Sequence, residues 1–134
     1  MNKITAIKIM LWLLAIVMLF HLSILLRIIP YEITWGGRLK RVSEMYIFES
    51  ISFIINLILF LILMIKGGYI SKIIPNRVVD IILWIFLALF ALNTIGNLFA
   101  ISNFEKFFSV LTLASSILLW IILKKEKRQT HNRA

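Results

Sequence analysis

The side chains with chemical potential in this sequence are polar groups set inside long apolar stretches: His21, Glu49, Asn56, Asn93, Asn97, Ser109, Thr112 and Ser116. Glu49 and His21 are the two that exchange protons. A carboxyl group and an imidazole brought together at low dielectric make either a structural pair or a proton-handling or ligand-binding pair that titrates as a unit. Both readings stand on the sequence, with Arg27 as an alternative partner for Glu49. Glu49, Ser52 and Asn56 share one helical face, and Asn93 and Asn97 are one turn apart, with Gly96 between them allowing close approach of a neighbouring backbone. Ser109, Thr112 and Ser116 form a third stripe. The amides and hydroxyls act either as interhelical hydrogen-bond glue, worth about 0.6 kcal/mol each, or as groups that orient a ligand.

Such residues need helices to position them. With 134 residues, 61% of them hydrophobic, the chain has room for one domain and too much apolar surface for a soluble one. A bilayer core needs about 20 apolar residues per helix, and four stretches provide them: 7–29, 45–65, 79–101 and 105–123. Lipid offers no partner to an unpaired backbone amide, so each stretch is read as helical throughout and the fold as an all-α bundle of four transmembrane helices. Pro30 is expected to end the first helix and Gly67 with Gly68 the second, Pro75 precedes the third, and Ser102 with Glu105 forms a capping box for the fourth. From these ends, a rise of 1.5 Å per residue places His21 and Asn93 about 12 Å deep, Glu49 about 7 Å and Asn97 about 6 Å. Residues 1–27 resemble a signal peptide, but the run Ile9 to Leu26 has no small-x-small cleavage site, which favours a retained helix.

The charge reads as topology. Lys3, Lys8, Lys66, Lys72, Arg77, Lys124, Lys125, Lys127, Arg128 and Arg133 fall on one side, and Arg27, Arg38, Lys40, Arg41 and Lys106 on the other. The positive-inside rule then puts both termini in the cytoplasm, in a multi-pass protein of the cell membrane. Trp12, Trp84 and Trp120 would form an inner interfacial belt. Ile70, Ile73 and Ile74 recur at helical spacing and suit a short segment on the headgroups. Asp80 is expected in the first turn of the third helix, balanced by the helix dipole and by Arg77 or a tail lysine. The basic tail 124–134 should be attracted to anionic lipid. A net charge of +9 distributed in this way argues against nucleic acid as a partner.

Without cysteine the chain has no disulfide, thiolate, iron–sulfur or zinc-thiolate chemistry. No metal or cofactor is expected. Haem on His21 would require a second copy of the chain to supply another histidine, and packing is the simpler role.

The loop between the first two stretches is the most distinctive segment. Pro30 stiffens its start, Tyr31 and Trp35 suit an interfacial anchor, Gly36 and Gly37 permit a tight turn, and Glu32 and Arg38 add mixed charge. It is long enough to close over a polar patch as a lid, and equally suits an anchored connector.

The run P-Y-E-x-x-W-G-G-R-L, then S-E-M-Y-x-F-E and later N-T-x-G-N, resembles small uncharacterised bacterial four-helix membrane proteins; the resemblance implies the bundle and no activity. Small multidrug exporters are less similar, because their proton-coupled glutamate lies in the first helix, where this chain has His21. Fluoride channels share an Asn-x-x-Gly element but are rich in glycine. Sterol-isomerase-like bundles are similar only in placing carboxylates and a histidine in the membrane. Three functions stay open: binding or passage of a small molecule, lipid headgroup or proton at a pocket formed by His21, Glu49, Asn56, Asn93 and Asn97; a non-catalytic assembly protein, as a homo-oligomer or with another partner; and a membrane enzyme using Glu49 as acid or base.

Overall fold

A computed structural model describes residues 1–28, 41–99 and 103–124, the side chains of 103–105 excepted. The described chain is all-α: α1 Lys3–Leu25, α2 Val42–Lys66, α3 Asn76–Leu98 and α4 Asn103–Leu123. Helices of 23, 25, 23 and 21 residues run about 31–38 Å at 1.5 Å per residue, enough for a hydrocarbon core of about 30 Å. All four are long and apolar enough to cross a membrane. Only 22% of the most apolar window of α1, α2 and α3, and 33% of that of α4, is buried within the protein. Large apolar side chains such as Ile16, Ile47, Ile85 and Val110 face outward instead, the pattern of helices that face lipid.

Local chemistry moves the helix ends from those expected. α1 starts at Lys3, not 7, because the Asn2 side chain accepts a hydrogen bond from the Thr5 amide at 2.8 Å and caps the first turn. It ends at Leu25, about one turn before the predicted end at Pro30, which lies outside the described residues. The terminator is Arg27, in the left-handed region at φ 63°. Its amide donates to the Ile24 carbonyl and that of Ile28 to the Ser23 carbonyl, the Schellman pattern in a place that glycine usually takes. Gly68 provides the same turn after α2, with φ 78° and hydrogen bonds from Gly68 to Ile65 and from Tyr69 to Met64. α2 and α3 likewise begin about one turn earlier than predicted, at Val42 and Asn76, with Pro75 at the N-cap of α3. Ser102 and the Glu105 side chain, the expected capping box, lie outside the described residues, as does the tail from 125.

Asp80 is therefore in the second turn of α3, and among the described residues its partner is not Arg77: Lys66 Nζ, at the end of α2, donates to its carboxylate at 2.6 Å. The segment 67–75 forms no helix. Two turn-forming glycines open it, and Pro75 pushes Ile74 towards extended backbone; Ile74 packs on the core while Ile73 is exposed. Trp12, Trp84 and Trp120 all lie on the outer surface, with Lys124 Nζ 5.2 Å from the centre of the Trp120 ring.

The main contacts run α1–α2, α2–α3, α3–α4 and α4–α1, with α3–α4 the most extensive and α2–α3 the least. One core cluster joins the first half of α1 (Ala6, Ile7, Met10, Leu14), the second half of α2 (Leu59, Ile62, Leu63), the first half of α3 (Val79, Leu83, Phe86) and the second half of α4 (Leu118, Leu119, Ile122). Neighbouring helices are thus antiparallel. The densely packed core occupies the end that holds the N-terminus and the α2–α3 connection. At the opposite end the fully buried apolar residues are, among the described residues, the small cluster of Ile24 and Met45, and the bundle opens into a cavity.

Candidate functional site

The cavity measures about 650 Å³ and takes its walls from all four helices, within the roughly 300–1,000 Å³ usual for small-molecule sites. From α1 come Leu14, Val17, Phe20 and His21; from α2 Phe48, Glu49, Ser52, Ile55 and Asn56; from α3 Phe86, Phe90, Asn93, Gly96 and Asn97; from α4 Phe108, Leu111, Thr112 and Ser115. On α2 and α3 these residues recur at three- and four-residue spacing, so one face of each helix looks across the space.

His21 Nδ1 and Glu49 Oε2 are hydrogen-bonded across the α1–α2 interface. Glu49 is fully buried, and the His21 side chain is 14% exposed. Two lone-pair atoms at hydrogen-bonding distance require a proton between them, so the pair holds at least one proton whichever residue formally owns it. The Phe20 ring meets the imidazole edge-on at 5.9 Å and the Phe108 ring at 5.4 Å, which builds an aromatic wall beside the pair. Arg27 is exposed and makes no ion pair among the described residues, so it is not the partner of Glu49.

With the helix ends in place, the site lies nearer the open end than the sequence predicts for His21, Asn93 and Asn97, and deeper for Glu49. His21 is four residues from Leu25 and Glu49 seven from Val42, about 6 and 10 Å along their helices. Asn93 and Asn97 are five residues and one from Leu98, about 8 and 2 Å. The early end of α1 accounts for the largest of these changes.

The remaining polar groups divide into two sets. Asn56 Nδ2 donates to the Ser52 carbonyl at 2.7 Å, and Ser115 donates to the Leu111 carbonyl at 2.9 Å. Thr94 and Thr112 are hydrogen-bonded hydroxyl to hydroxyl at 2.8 Å and lock α3 to α4; Ser109 donates within α4. Ser116 Oγ is buried with no hydrogen-bond partner among the described residues. The side-chain amides of Asn93 and Asn97 also make no hydrogen bond among the described residues, yet both line the cavity. Gly96 between them does not admit a neighbouring backbone: a Cβ built there meets nothing within 4 Å, and the residue opens space at the cavity edge.

Sequence reasoning missed two features. Five phenylalanines line the cavity, a signal hidden because aromatic residues in apolar helices read as packing. Thr94 was overlooked although it lies one residue from Asn93, since a lone threonine satisfied by its own helix gives no pattern. The suggested lid, Tyr31, Glu32, Trp35, Gly36, Gly37 and Arg38, lies outside the described residues. Among the described residues no group of three or more His, Asp or Glu is placed to hold a metal ion. In comparisons with known protein families, curated proteins and solved structures, the chain matches none.

Proposed function

We propose that this chain is a multi-pass protein of the cell membrane, both termini cytoplasmic, whose outer-half cavity binds a small molecule. Ten basic residues on the side of the termini against five on the other support the orientation. His21 and Glu49 serve as the polar anchor, Asn93 and Asn97 as the groups that orient the ligand, and Asn56 and Ser52 as the floor. The observation that carries this reading is the pair of amides, without a hydrogen-bond partner among the described residues, that line the same space as a buried hydrogen-bonded carboxyl group. In a membrane, an amide as deep as that of Asn93, about 8 Å inside the helix end, takes its hydrogen bonds from protein groups or from what occupies a cavity. Interhelical glue explains Thr94 and Thr112, which are satisfied by each other, but not Asn93 and Asn97. Binding is favoured over passage because Met10, Leu14, Leu59, Leu63, Leu83 and Leu119, each at most 2% exposed, close the inner half.

The natural absence of cysteine makes single-cysteine variants clean reporters. N-phenylmaleimide, small and membrane-permeant, is expected to modify Asn93→Cys and Asn97→Cys in folded protein while sparing Leu83→Cys in the packed core. Equal protection of all three positions would remove the cavity and the proposal with it.

A further inference from the structure

The cavity wall is not uniform around the bundle. Among the described lining residues, those of α1 and α4 are buried or half-buried, Leu14, Val17, Phe20, Phe108 and Ser115 among them. The exposed ones belong to α2 and α3: Phe48, Ile51 and Ile55 on the first, Leu89, Asn93 and Gly96 on the second. These two helices also make the least contact of the four adjacent pairs. Phe48, Ile51, Ile55 and Leu89 are large, apolar and part of both the lining and the outer surface, so the surface that faces lipid continues into the cavity between α2 and α3.

Depth decides what stands at this opening. Counted from Val42 and Leu98, the helix ends on the open side, Phe48, Ile51 and Ile55 lie about 9, 14 and 20 Å along α2 and Leu89 about 14 Å along α3. One leaflet contributes about 15 Å to the hydrocarbon core, so the seam lies at the level of lipid chains. The polarity of the lining changes along the same axis. About 2–8 Å from the open end are the amides of Asn97 and Asn93, with no hydrogen-bond partner among the described residues. At about 12–18 Å the walls include Val17, Phe86, Phe90 and Leu111. The polar side chains below the amides, Asn56, Thr112 and Ser115, are hydrogen-bonded to carbonyls of their own helices. Free hydrogen-bonding groups above and hydrocarbon below is the order of a bilayer lipid in that leaflet, whose glycerol esters lie above its chains.

Resting on the binding reading above, we infer that the small molecule is a bilayer phospholipid of the leaflet at the open end, one acyl chain of which enters the cavity sideways between α2 and α3. That chain lies against the phenylalanines and the deeper aliphatic wall. The glycerol esters stay level with Asn93 and Asn97, whose amides donate to the ester carbonyls, and the headgroup and second chain remain in the bilayer.

The test uses the full-length protein in liposomes of palmitoyl-oleoyl-phosphatidylcholine with a minor share of oleic acid. Photoreactive p-benzoylphenylalanine replaces Leu111 or, as a second probe, Val17, both half-buried on the closed side of the cavity, and intact mass spectrometry reads the adduct. Each probe is expected to gain the mass of one phosphatidylcholine, with fragmentation placing the link on an acyl chain. Leu89→Trp fills the seam at chain depth and should cut the adduct about tenfold with helix content unchanged, while Ile16→Trp on the outer surface of α1 should leave it intact. An adduct with the mass of oleic acid alone overturns the assignment to a bilayer phospholipid. A link on the glycerol or headgroup overturns its orientation, and an adduct that Leu89→Trp leaves unchanged overturns the lateral route. If neither probe gains lipid while Asn97→Cys reacts with N-phenylmaleimide, the lipid is excluded and the cavity stands; if that cysteine is also protected, both readings fail together.

Discussion

Removing Glu49 tests the buried His21–Glu49 pair in the bundle's open half. Glu49 is fully buried, and Glu49→Leu leaves the His21 ring nitrogen without its carboxyl partner at low dielectric. In soluble proteins an orphaned buried polar group costs about 1–3 kcal/mol, and breaking a buried ion pair about 3–5 kcal/mol. Membrane hydrogen bonds average about 0.6 kcal/mol with a maximum near 1.7, because the unfolded chain in lipid also finds partners. A pair buried this well belongs near the upper end of the membrane range, so a coupling of about 1.5 kcal/mol is expected between the two residues. The measurement is a double-mutant cycle of His21→Leu, Glu49→Leu and the double variant, followed by reversible unfolding in mixed micelles. The double variant should be less destabilised than the sum of the singles by that amount, and Glu49→Gln, which keeps a hydrogen-bonding side chain, should lie within about 1 kcal/mol of wild type. Additivity of the two single substitutions to within about 0.5 kcal/mol would refute the pair as an energetic unit, since the cycle cancels whatever other contacts Glu49 makes.

Arg27→Gly should stabilise the protein by up to about 1 kcal/mol, because Arg27 occupies the left-handed region at φ 63° and glycine adopts it without steric cost; thermal unfolding in detergent reads this, and a loss of stability would mean that the Arg27 side chain does more than end a helix. Ser116→Ala should be neutral or stabilising by about 1 kcal/mol in the same assay, since it removes a buried hydroxyl with no partner among the described residues; a clear loss would reveal an undetected hydrogen bond. For topology, cysteines at Ser71 and Gln129 should resist an impermeant thiol reagent in intact cells and one at Gly37 should react, and the reverse pattern would invert the proposed orientation.

The helices were legible because nothing competes with hydrophobicity over runs of about 20 residues, whereas their ends depend on single hydrogen bonds. Asn2 was unread as a cap because the apolar run begins after it. Pro30 drew the end of α1 too far, because a proline is a visible terminator and an arginine at positive φ is not. That error also displaced His21. The faces of α2 and α3 follow directly from spacing, which is why Glu49, Ser52 and Asn56, or Asn93 and Asn97, can be grouped by counting residues alone. The pairing of residues across helices is less accessible. Lys66 with Asp80 and Thr94 with Thr112 depend on the relative height of two helices, and height is set by turns such as the one at Gly68. Gly96 shows the converse: a small residue beside polar ones suggests close helix contact in a membrane, but its surroundings here are open.

The two halves of the bundle place opposite demands on its free energy. The cavity is open to the surroundings of the bundle, with exposed residues such as Phe48, Ile55 and Leu89 in its lining, so in the folded state water, lipid chains or a ligand fill it. The inner core has to hold the helices in register on its own, and its composition suits that role, since Met10, Leu59, Leu63, Leu83, Leu119 and Ile122 are all completely buried. Tight packing at one end allows α2 and α3 to make less contact than the other pairs without dissociating. It also leaves room for polar residues at the open end, where His21 with Glu49 and Thr94 with Thr112 satisfy one another and Asn56 and Ser115 bond to the carbonyls of their own helices.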